Sequence, residues 1–203
     1  MTALKKREIT PEDILPVEEY KKIRKEHKQK LIPIKKTRRV EIGPFATLYF
    51  ENYDTMWAQI QEMLYIEQGG DAQLQDELSA YNPLIPNGSE LVATFMIEID
   101  DPVRRDFMLR KLGHIEKTIY LAIGNEKIEA VPEQDVERTT EDGKASSIHF
   151  LHFPMTDAQK KAFKSSDTDV QIGISHELYG HIAVIKGSTR EALAEDLIDQ
   201  VSR

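Results

Sequence analysis

The segment from residue 91 to residue 99 alternates like a β-strand, but both of its faces are largely apolar. Leu91 and Phe95 fall on one face, and Val92 and Met96 fall on the other, because successive side chains of a strand point to opposite sides. A strand with two apolar faces must be covered on both sides, so it belongs in the middle of a sheet. The rest of the chain therefore has to supply strands beside this segment and layers above and below it.

Turn signals elsewhere in the chain predict hairpins. A loop at residues 177–180 separates two strand-like segments, and so do three two-residue signals: Gly43-Pro44, Gly124-Asn125 and Asp142-Gly143. Hairpins dominate, and strand–helix–strand alternation is missing. We therefore predict an α+β fold with a mostly antiparallel, or mixed, sheet and helices packed on its faces. No segment clearly divides the 203 residues, so we expect a single domain.

The charge of the chain is unevenly distributed. Residues 1–40 carry 13 basic and 6 acidic side chains, whereas residues 41–203 carry 14 and 29. Apolar side chains at helical spacing predict a basic helix over about 11–32, ended by Pro33. We expect this helix to pack on the acidic body, or to be offered to an acidic partner. Acidic residues interrupt the basic run and no aromatic platform accompanies it, which argues against nucleic-acid binding.

The composition excludes several classes of chemistry. The chain has no cysteine, which excludes disulfides, a self-held iron–sulfur cluster and a thiol nucleophile. No apolar run approaches the roughly 18 residues of a membrane helix, and the first residues lack the apolar stretch of a signal peptide. We therefore expect a cytoplasmic protein without a membrane span. Phosphate-binding loops and serine-hydrolase motifs are missing as well.

The histidines offer two candidate pairs. His176 and His181 resemble the helical zinc-protease motif, but they are five residues apart and not four, so their rings diverge on a helix. If residues 177–180 form a four-residue hairpin loop, the two histidines flank it as a cross-strand pair. Such a pair either holds a metal with a carboxylate from elsewhere or lies at the surface of a turn. His149 and His152 point to opposite faces of a strand and cannot share a metal.

Polar residues surround the start of the helix that follows residue 53. Thr55, Gln59 and Glu62 share one helix face by their spacing. Glu51 and Asn52 lie at the strand–helix junction that leads to this face. Polar side chains beside an apolar stripe indicate a small pocket, whose carboxylates suit a hard metal ion or proton transfer. A solvated helix flank is the alternative that the spacing leaves open.

Six blocks of the sequence together resemble a bacterial family described as domain of unknown function 3501. The blocks are Lys36-Thr37-Arg38-Arg39-Val40, Phe50-Glu51-Asn52-x-x-Thr55, Gln59-Ile60-Gln61-Glu62-Met63, Tyr81-Asn82-x-Leu84-Ile85-Pro86, Glu90-Leu91-x-Ala93-Thr94 and His176-x-x-Tyr179. The resemblance brings no assigned activity. It implies a link to redox or peroxide-stress metabolism, because members are often encoded beside rubrerythrin-like proteins and an iron–sulfur oxidoreductase subunit. It also favours one shared pocket, since packing alone does not select so many polar residues.

These observations predict one polar site and leave two functions open. The first is a cytoplasmic protein with a carboxylate and histidine pocket, a candidate metal site, that serves redox or peroxide-stress metabolism. The expected catalytic residues are Glu51, Glu62 and His176. The expected binding residues are Arg39, Asn52, Gln59, Asn82, Glu90 and Tyr179. The expected ligands of a divalent iron, manganese or zinc ion are Glu51, Glu62, His176 and His181. The alternative is a non-catalytic accessory protein whose basic helix docks on a partner, either a rubrerythrin-like protein or an iron–sulfur oxidoreductase subunit.

Overall fold

The computed structural model describes residues 6–133, 138–140 and 142–198, and within them the chain folds as an α+β protein. Its strands form two antiparallel sheets. The first sheet has the order β1-β2-β3-β7-β6, with strands Arg39–Ile42 (β1), Ala46–Phe50 (β2), Glu90–Ile97 (β3), Val131–Pro132 (β6) and Ile148–Pro154 (β7). The second has the order β5-β4-β8-β9, with strands Ile119–Ile123 (β4), Glu126–Glu129 (β5), Val170–His176 (β8) and Tyr179–Val184 (β9).

The described residues form six α-helices. They are Val17–Lys36 (α1), Tyr53–Glu67 (α2), Gly70–Tyr81 (α3), Pro102–Leu109 (α4), Asp157–Lys164 (α5) and Gly187–Ala194 (α6). None of these helices combines the length and the apolar character that crossing a membrane requires. The α+β class predicted from the hairpins is confirmed, and the structure adds that the strands divide between two sheets.

The doubly apolar strand β3 lies in the middle of the first sheet, between β2 and β7, as the sequence predicts. Its inner face and the second sheet form one hydrophobic core, and Phe95 and Leu121 are both fully buried in that core. Its outer face is covered by helices, because Val92 belongs to a second core with Met56 and Ile60 of α2. The first sheet is therefore packed on both sides, by a sheet on one and by helices on the other.

Helix α1 begins at Val17, later than the predicted residue 11, and it extends beyond the end predicted for it. Pro33 lies inside its last turns, and the helix continues to Lys36. A proline removes only its own backbone N–H from the hydrogen-bond ladder, and here the Pro33 carbonyl still accepts from Thr37 N at 3.3 Å. The helix packs on α2, with the buried Tyr20 ring 5.9 Å from Trp57. The basic helix therefore rests on the body of the protein.

The hairpin predicted around Asp142-Gly143 lies partly outside the described residues, which omit 134–137 and 141. Where the structure describes this region, Thr139 and Ala145 form an isolated antiparallel bridge. Strand β7 pairs on one side with β3 and on the other with the short β6. The hairpins around Gly43-Pro44 and Gly124-Asn125 are confirmed as β1–β2 and β4–β5.

Candidate functional site

A cavity of about 350 Å³ opens between the outer face of the first sheet and helix α2. The sheet contributes Tyr49, Thr94 and Phe150 to its walls, and α2 contributes Thr55 and Gln59. The outer face of β3 is covered by helices only in part, and the cavity occupies the region beside that cover. Its volume lies at the lower end of the range for small-molecule sites.

Glu51 places a carboxyl group in the wall of this cavity. It follows directly after β2, where its backbone N–H still donates to the Val92 carbonyl at 2.8 Å. The residue is only 8% exposed. Thr55 Oγ1 donates to one carboxyl oxygen at 2.6 Å, and Thr94 Oγ1 donates to the other at 2.7 Å. A hydroxyl from the helix and a hydroxyl from the sheet therefore hold the carboxyl group in one orientation.

Burial raises the pKa of the Glu51 carboxyl above its ordinary value. The two threonine hydrogen bonds and the positive charges of Lys35 and Arg38 act in the opposite direction, but they do not offset the loss of hydration. A carboxyl group whose pKa moves toward neutrality, within a cavity, is suited to accept and return a proton.

Arg38 fixes the backbone on which Glu51 is carried. Its guanidinium donates to the carbonyls of Phe50 at 3.0 Å and Glu51 at 3.1 Å, and it forms a buried ion pair with Asp196. A third carbonyl, that of Ala192, accepts from Nη1 at 3.1 Å. These contacts commit the guanidinium to the fold, so Arg38 serves as a positioning group and is not free to bind a ligand.

The start of α2 explains how Thr55 reaches Glu51. The Asn52 side chain accepts from Thr55 N at 3.0 Å, and Asn52 N donates to Thr55 Oγ1 at 2.9 Å. This reciprocal cap satisfies backbone donors at the helix N-terminus and points the hydroxyl of Thr55 at the carboxyl group. Asn52, an expected binding residue, is therefore a helix cap; it lines a separate cavity that also includes Arg7.

Further along α2, the cavity has mixed polar and apolar walls. Gln59 Nε2 donates to the hydroxyl of Tyr81 at 3.4 Å, and both residues line the cavity together with Met56. Lys35, from the last turn of α1, also lines it and is exposed. The polar groups thus converge on a largely apolar space, the usual character of a ligand pocket.

Glu62 lies outside this cavity, in the contact between α1 and α2. Its carboxylate accepts from Tyr20 at 2.6 Å and from Arg24 at 2.8 Å, and it forms an ion pair with Lys28 at 2.9 Å. These contacts, with the Arg24 hydrogen bond first, lower the pKa of Glu62 to about 2. The structure separates Glu62 from Glu51 and makes it the clamp that holds the basic helix.

The histidines of the β8–β9 hairpin do not flank a four-residue loop, so that prediction is wrong. The loop has two residues, with His176 opposite Tyr179 and His181 opposite Ile174. His176 Nδ1 accepts from Leu178 N at 3.2 Å. The His181 ring instead packs 4.5 Å from the ring of Tyr179.

Tyr179 and Gly43 hold this hairpin against the β1–β2 turn. The Tyr179 hydroxyl donates to the Ile42 carbonyl at 2.7 Å and accepts from Ala46 N at 3.2 Å. Gly43 has a positive φ of 76°, and a side chain there would come within 2.6 Å of His181 and Tyr179. Tyr179, an expected binding residue, therefore joins the two sheets at this turn.

The remaining expected binding residues have structural partners. Asn82 bonds both backbone groups of Ile9, at 2.8 and 2.9 Å, and so fixes the segment before α1. Glu90 lies 3.0 Å from His152 Nδ1 on the outer face of the first sheet. Arg39 is exposed and donates to the hydroxyl of Tyr49, a residue of the cavity wall, at 3.2 Å.

The expected metal ligands are not assembled into one site. Among residues 6–133, 138–140 and 142–198, no group of three or more histidine, aspartate or glutamate side chains is placed to hold a metal ion. Glu51 faces the cavity, Glu62 faces α1, and His176 and His181 lie on the hairpin of the second sheet. A bound iron, manganese or zinc ion remains a prediction from the sequence.

Sequence reasoning identified Glu51 and Gln59 but missed several residues of the cavity. Tyr49, Met96 and Phe150 come from three strands, and no spacing rule connects residues so distant in the chain. Thr94 carried a signal, because it stands in one of the blocks shared with the family. Its role as the second donor to Glu51 depends on the β2–β3 register, in which it is opposite Tyr49.

The fold and the site together define an α+β protein with two antiparallel sheets and a cavity that contains a buried carboxyl group. The model of the family described as "Protein of unknown function (DUF3501)" matches residues 8–197, so the chain belongs to that family. A crystal structure at 1.90 Å of a "novel protein of unknown function" from Burkholderia pseudomallei K96243 is similar, with 37% identity and a TM-score of 0.87. The match covers 94% of this chain and 99% of that one. No curated protein matches the chain.

Proposed function

We propose that this protein binds a small organic molecule in the Glu51 cavity and that Glu51 exchanges a proton with it. The observation that carries the proposal is a buried carboxyl group, held by Thr55 and Thr94, in the wall of a cavity of about 350 Å³. A buried carboxyl group is costly to the fold unless it is compensated, and sites with such cost are often functional. Gln59 and Tyr81 would supply further polar contacts.

The proposal retains part of the site that the sequence predicts. Glu51 keeps its predicted acid–base role and Gln59 keeps its predicted binding role. Glu62 and His176 instead make contacts that stabilise the folded structure. The family resemblance adds redox or peroxide-stress metabolism as the setting of this activity, and we retain the cytoplasmic location as a prediction from the sequence. The geometry of the cavity supports ligand binding and proton exchange, and it has no bearing on that setting.

The proposal is tested by screening a library of neutral and charged fragments against the ¹⁵N-labelled protein by NMR. We expect fragments whose chemical-shift changes concentrate on Glu51, Thr55, Gln59 and Thr94. A Met96→Trp variant places a larger side chain in the cavity wall and keeps Glu51, Thr55 and Thr94 unchanged, so it should lose these shifts. Phe107→Trp is the matched control, since Phe107 is exposed on α4. Fragments that bind both variants equally, or none that bind the cavity, would refute the proposal.

A second candidate is the accessory role, and the outer face of α1 favours it. Lys22, Lys25 and Lys36 recur on one helix face and are exposed, and the described residues give them no ion pair. Ile32 lies on the same face and is 64% exposed. We propose this face as the surface for an acidic partner, such as a rubrerythrin-like protein or an iron–sulfur oxidoreductase subunit. Reversing the three lysine charges should abolish binding to the purified partner, and unchanged affinity would exclude this surface.

A further inference from the structure

The charged groups around the Glu51 cavity form a simple pattern. Its walls include three charged side chains, Lys35, Arg38 and Glu51. Arg38 is neutralised by its buried ion pair with Asp196. One carboxyl group and one ammonium group therefore remain to meet an occupant.

We propose that the cavity binds a zwitterion of the amino-acid type, with its protonated amine at Glu51, its anionic group at Lys35 and an apolar body between them. This inference rests on the proposed function, because it names the class of ligand for the same cavity. Each charge of such a ligand meets an opposite charge of the protein.

The amine end follows from the bonding of Glu51. A carboxylate offers about four acceptor sites, and Thr55 and Thr94 occupy one on each oxygen. Within the described residues, no lysine, arginine or histidine lies within ion-pair distance of this carboxyl group. A buried carboxylate without a cation is unfavourable, so a ligand cation would supply the missing partner.

The anionic end follows from the position of Lys35. This side chain is exposed, and it makes no ion pair within the residues that the structure describes. It is close enough to Glu51 for its charge to lower the pKa of that carboxyl. Because Glu51 is buried and Lys35 is exposed, the two charges lie at different depths of the cavity. A ligand with a cation alone would be repelled by Lys35, and one with an anion alone would leave Glu51 without a cationic partner.

The body of the ligand follows from the rest of the wall. The rings of Tyr49, Tyr81 and Phe150 and the thioethers of Met56 and Met96 line the same space. Aromatic rings attract both apolar groups and ammonium ions, and methionine adapts its shape to varied partners. The cavity therefore suits an apolar or aromatic side chain that carries an ammonium group.

The experiment compares three probes that share one aromatic body: phenylalanine, phenethylamine and 3-phenylpropionate. Calorimetric titration of the wild-type protein should give phenylalanine the highest affinity, about five- to tenfold above each single-charge probe, since one screened ion pair contributes about 1 kcal/mol. Glu51→Gln should remove the advantage over 3-phenylpropionate. Lys35→Met should remove the advantage over phenethylamine, and Lys36→Met, outside the cavity, is the matched control.

A second readout follows the proton. A cation at Glu51 favours the ionised carboxyl group, so binding of phenylalanine to the wild type should release protons, measured in two buffers of different ionisation enthalpy. Glu51→Gln should release none. Equal affinity for all three probes would overturn the zwitterion proposal and leave the pocket standing. Failure of all three probes would overturn the zwitterion proposal, and the same failure together with a fragment screen in which nothing binds the cavity would overturn both proposals.

Discussion

At the scale of single residues, Glu51 is placed where its ionised form is poorly stabilised. Burial raises the pKa of its carboxyl, so the folded state binds the proton more tightly than the unfolded chain does. The stability contributed by this proton is present at low pH and is lost as the pH rises through the folded-state pKa. A residue that weakens the fold at neutral pH but improves a site is the usual compromise between stability and function.

We therefore expect Glu51→Gln to stabilise the protein at pH 7 to 8 and to have a smaller effect near pH 4. For a domain of this size, each 1 kcal/mol gained raises Tm by about 2–4 °C. Thermal unfolding across this pH range measures the effect, and Asp76→Asn, at an exposed carboxyl group of α3, is the control. A lower Tm for Glu51→Gln at pH 8 would show that Thr55 and Thr94 compensate the buried charge fully.

At the scale of elements, the sequence predicts positions on a helix better than it predicts what covers them. Thr55, Gln59 and Glu62 do share one face of α2, as their spacing requires. The cavity ends at Gln59, because α1 lies against the next turn and its Arg24 and Lys28 engage Glu62. Helical periodicity contains no information about where a second helix crosses. For that reason Thr55 and Gln59 line the cavity, whereas Glu62, one turn further along the same face, binds α1.

The clamp gives a prediction for α1 as a whole. Glu62 has a pKa lowered to about 2, so its stabilisation is present above the unfolded value of about 4.3 and is lost as the pH falls toward 2. Glu62→Gln should cost about 2 kcal/mol at pH 7, since hydrogen bonds to charged groups contribute about that much. Urea unfolding at pH 7 and pH 3 measures this loss of unfolding free energy, which should be smaller at pH 3.

Hydrogen exchange distinguishes loss of the clamp from a general loss of stability. Amides of α1 should exchange faster in Glu62→Gln, while amides of β3 should change only as much as the global stability does. Glu67→Gln, one turn beyond on the exposed end of α2, is the matched control. Uniformly faster amide exchange along the whole chain would contradict the prediction that Glu62 holds α1 in particular.

At the scale of the whole molecule, the sequence predicts the fold class but not the division of its strands. Three features were predicted from local patterns: the doubly apolar strand β3 and the two confirmed hairpins. The pairing of β4 with β8 joins segments about 50 residues apart, and local patterns do not specify such pairings. The two-residue β8–β9 loop was missed for a related reason, since Glu177-Leu178 carries none of the residues that signal a tight turn.

The arrangement of layers gives His149 and His152 opposite environments, although both lie on β7. His149 is fully buried on the inner face, where its ring lies 5.7 Å from Phe95 and its Nδ1 lies 3.7 Å from Glu116. Burial lowers the pKa of His149, and the positive charge of Arg138 acts in the same direction, whereas Glu116 opposes both. His152 lies on the outer face, and its contact with Glu90 raises its pKa.

The two histidines should therefore affect stability with opposite signs as the pH changes. Stability that depends on neutral His149 is present above the unfolded pKa of about 6.5 and is lost as the pH falls below it. Stability that depends on protonated His152 is present below that value and is lost as the pH rises through the folded-state pKa. His149→Gln should flatten the loss of stability between pH 7 and pH 5, and His152→Gln should steepen it.

Urea unfolding of the wild type and both variants at pH 5, 6, 7 and 8 measures these slopes, and each unit of pKa difference corresponds to about 1.4 kcal/mol. Direct NMR titration of the two imidazoles in the wild type gives the same comparison without a substitution, which matters if His149→Gln does not fold. The two side chains share one strand and differ only in what packs on them: the second sheet covers His149, and Glu90 lies beside His152. If both substitutions changed the pH dependence of stability in the same direction, this difference in packing would be contradicted.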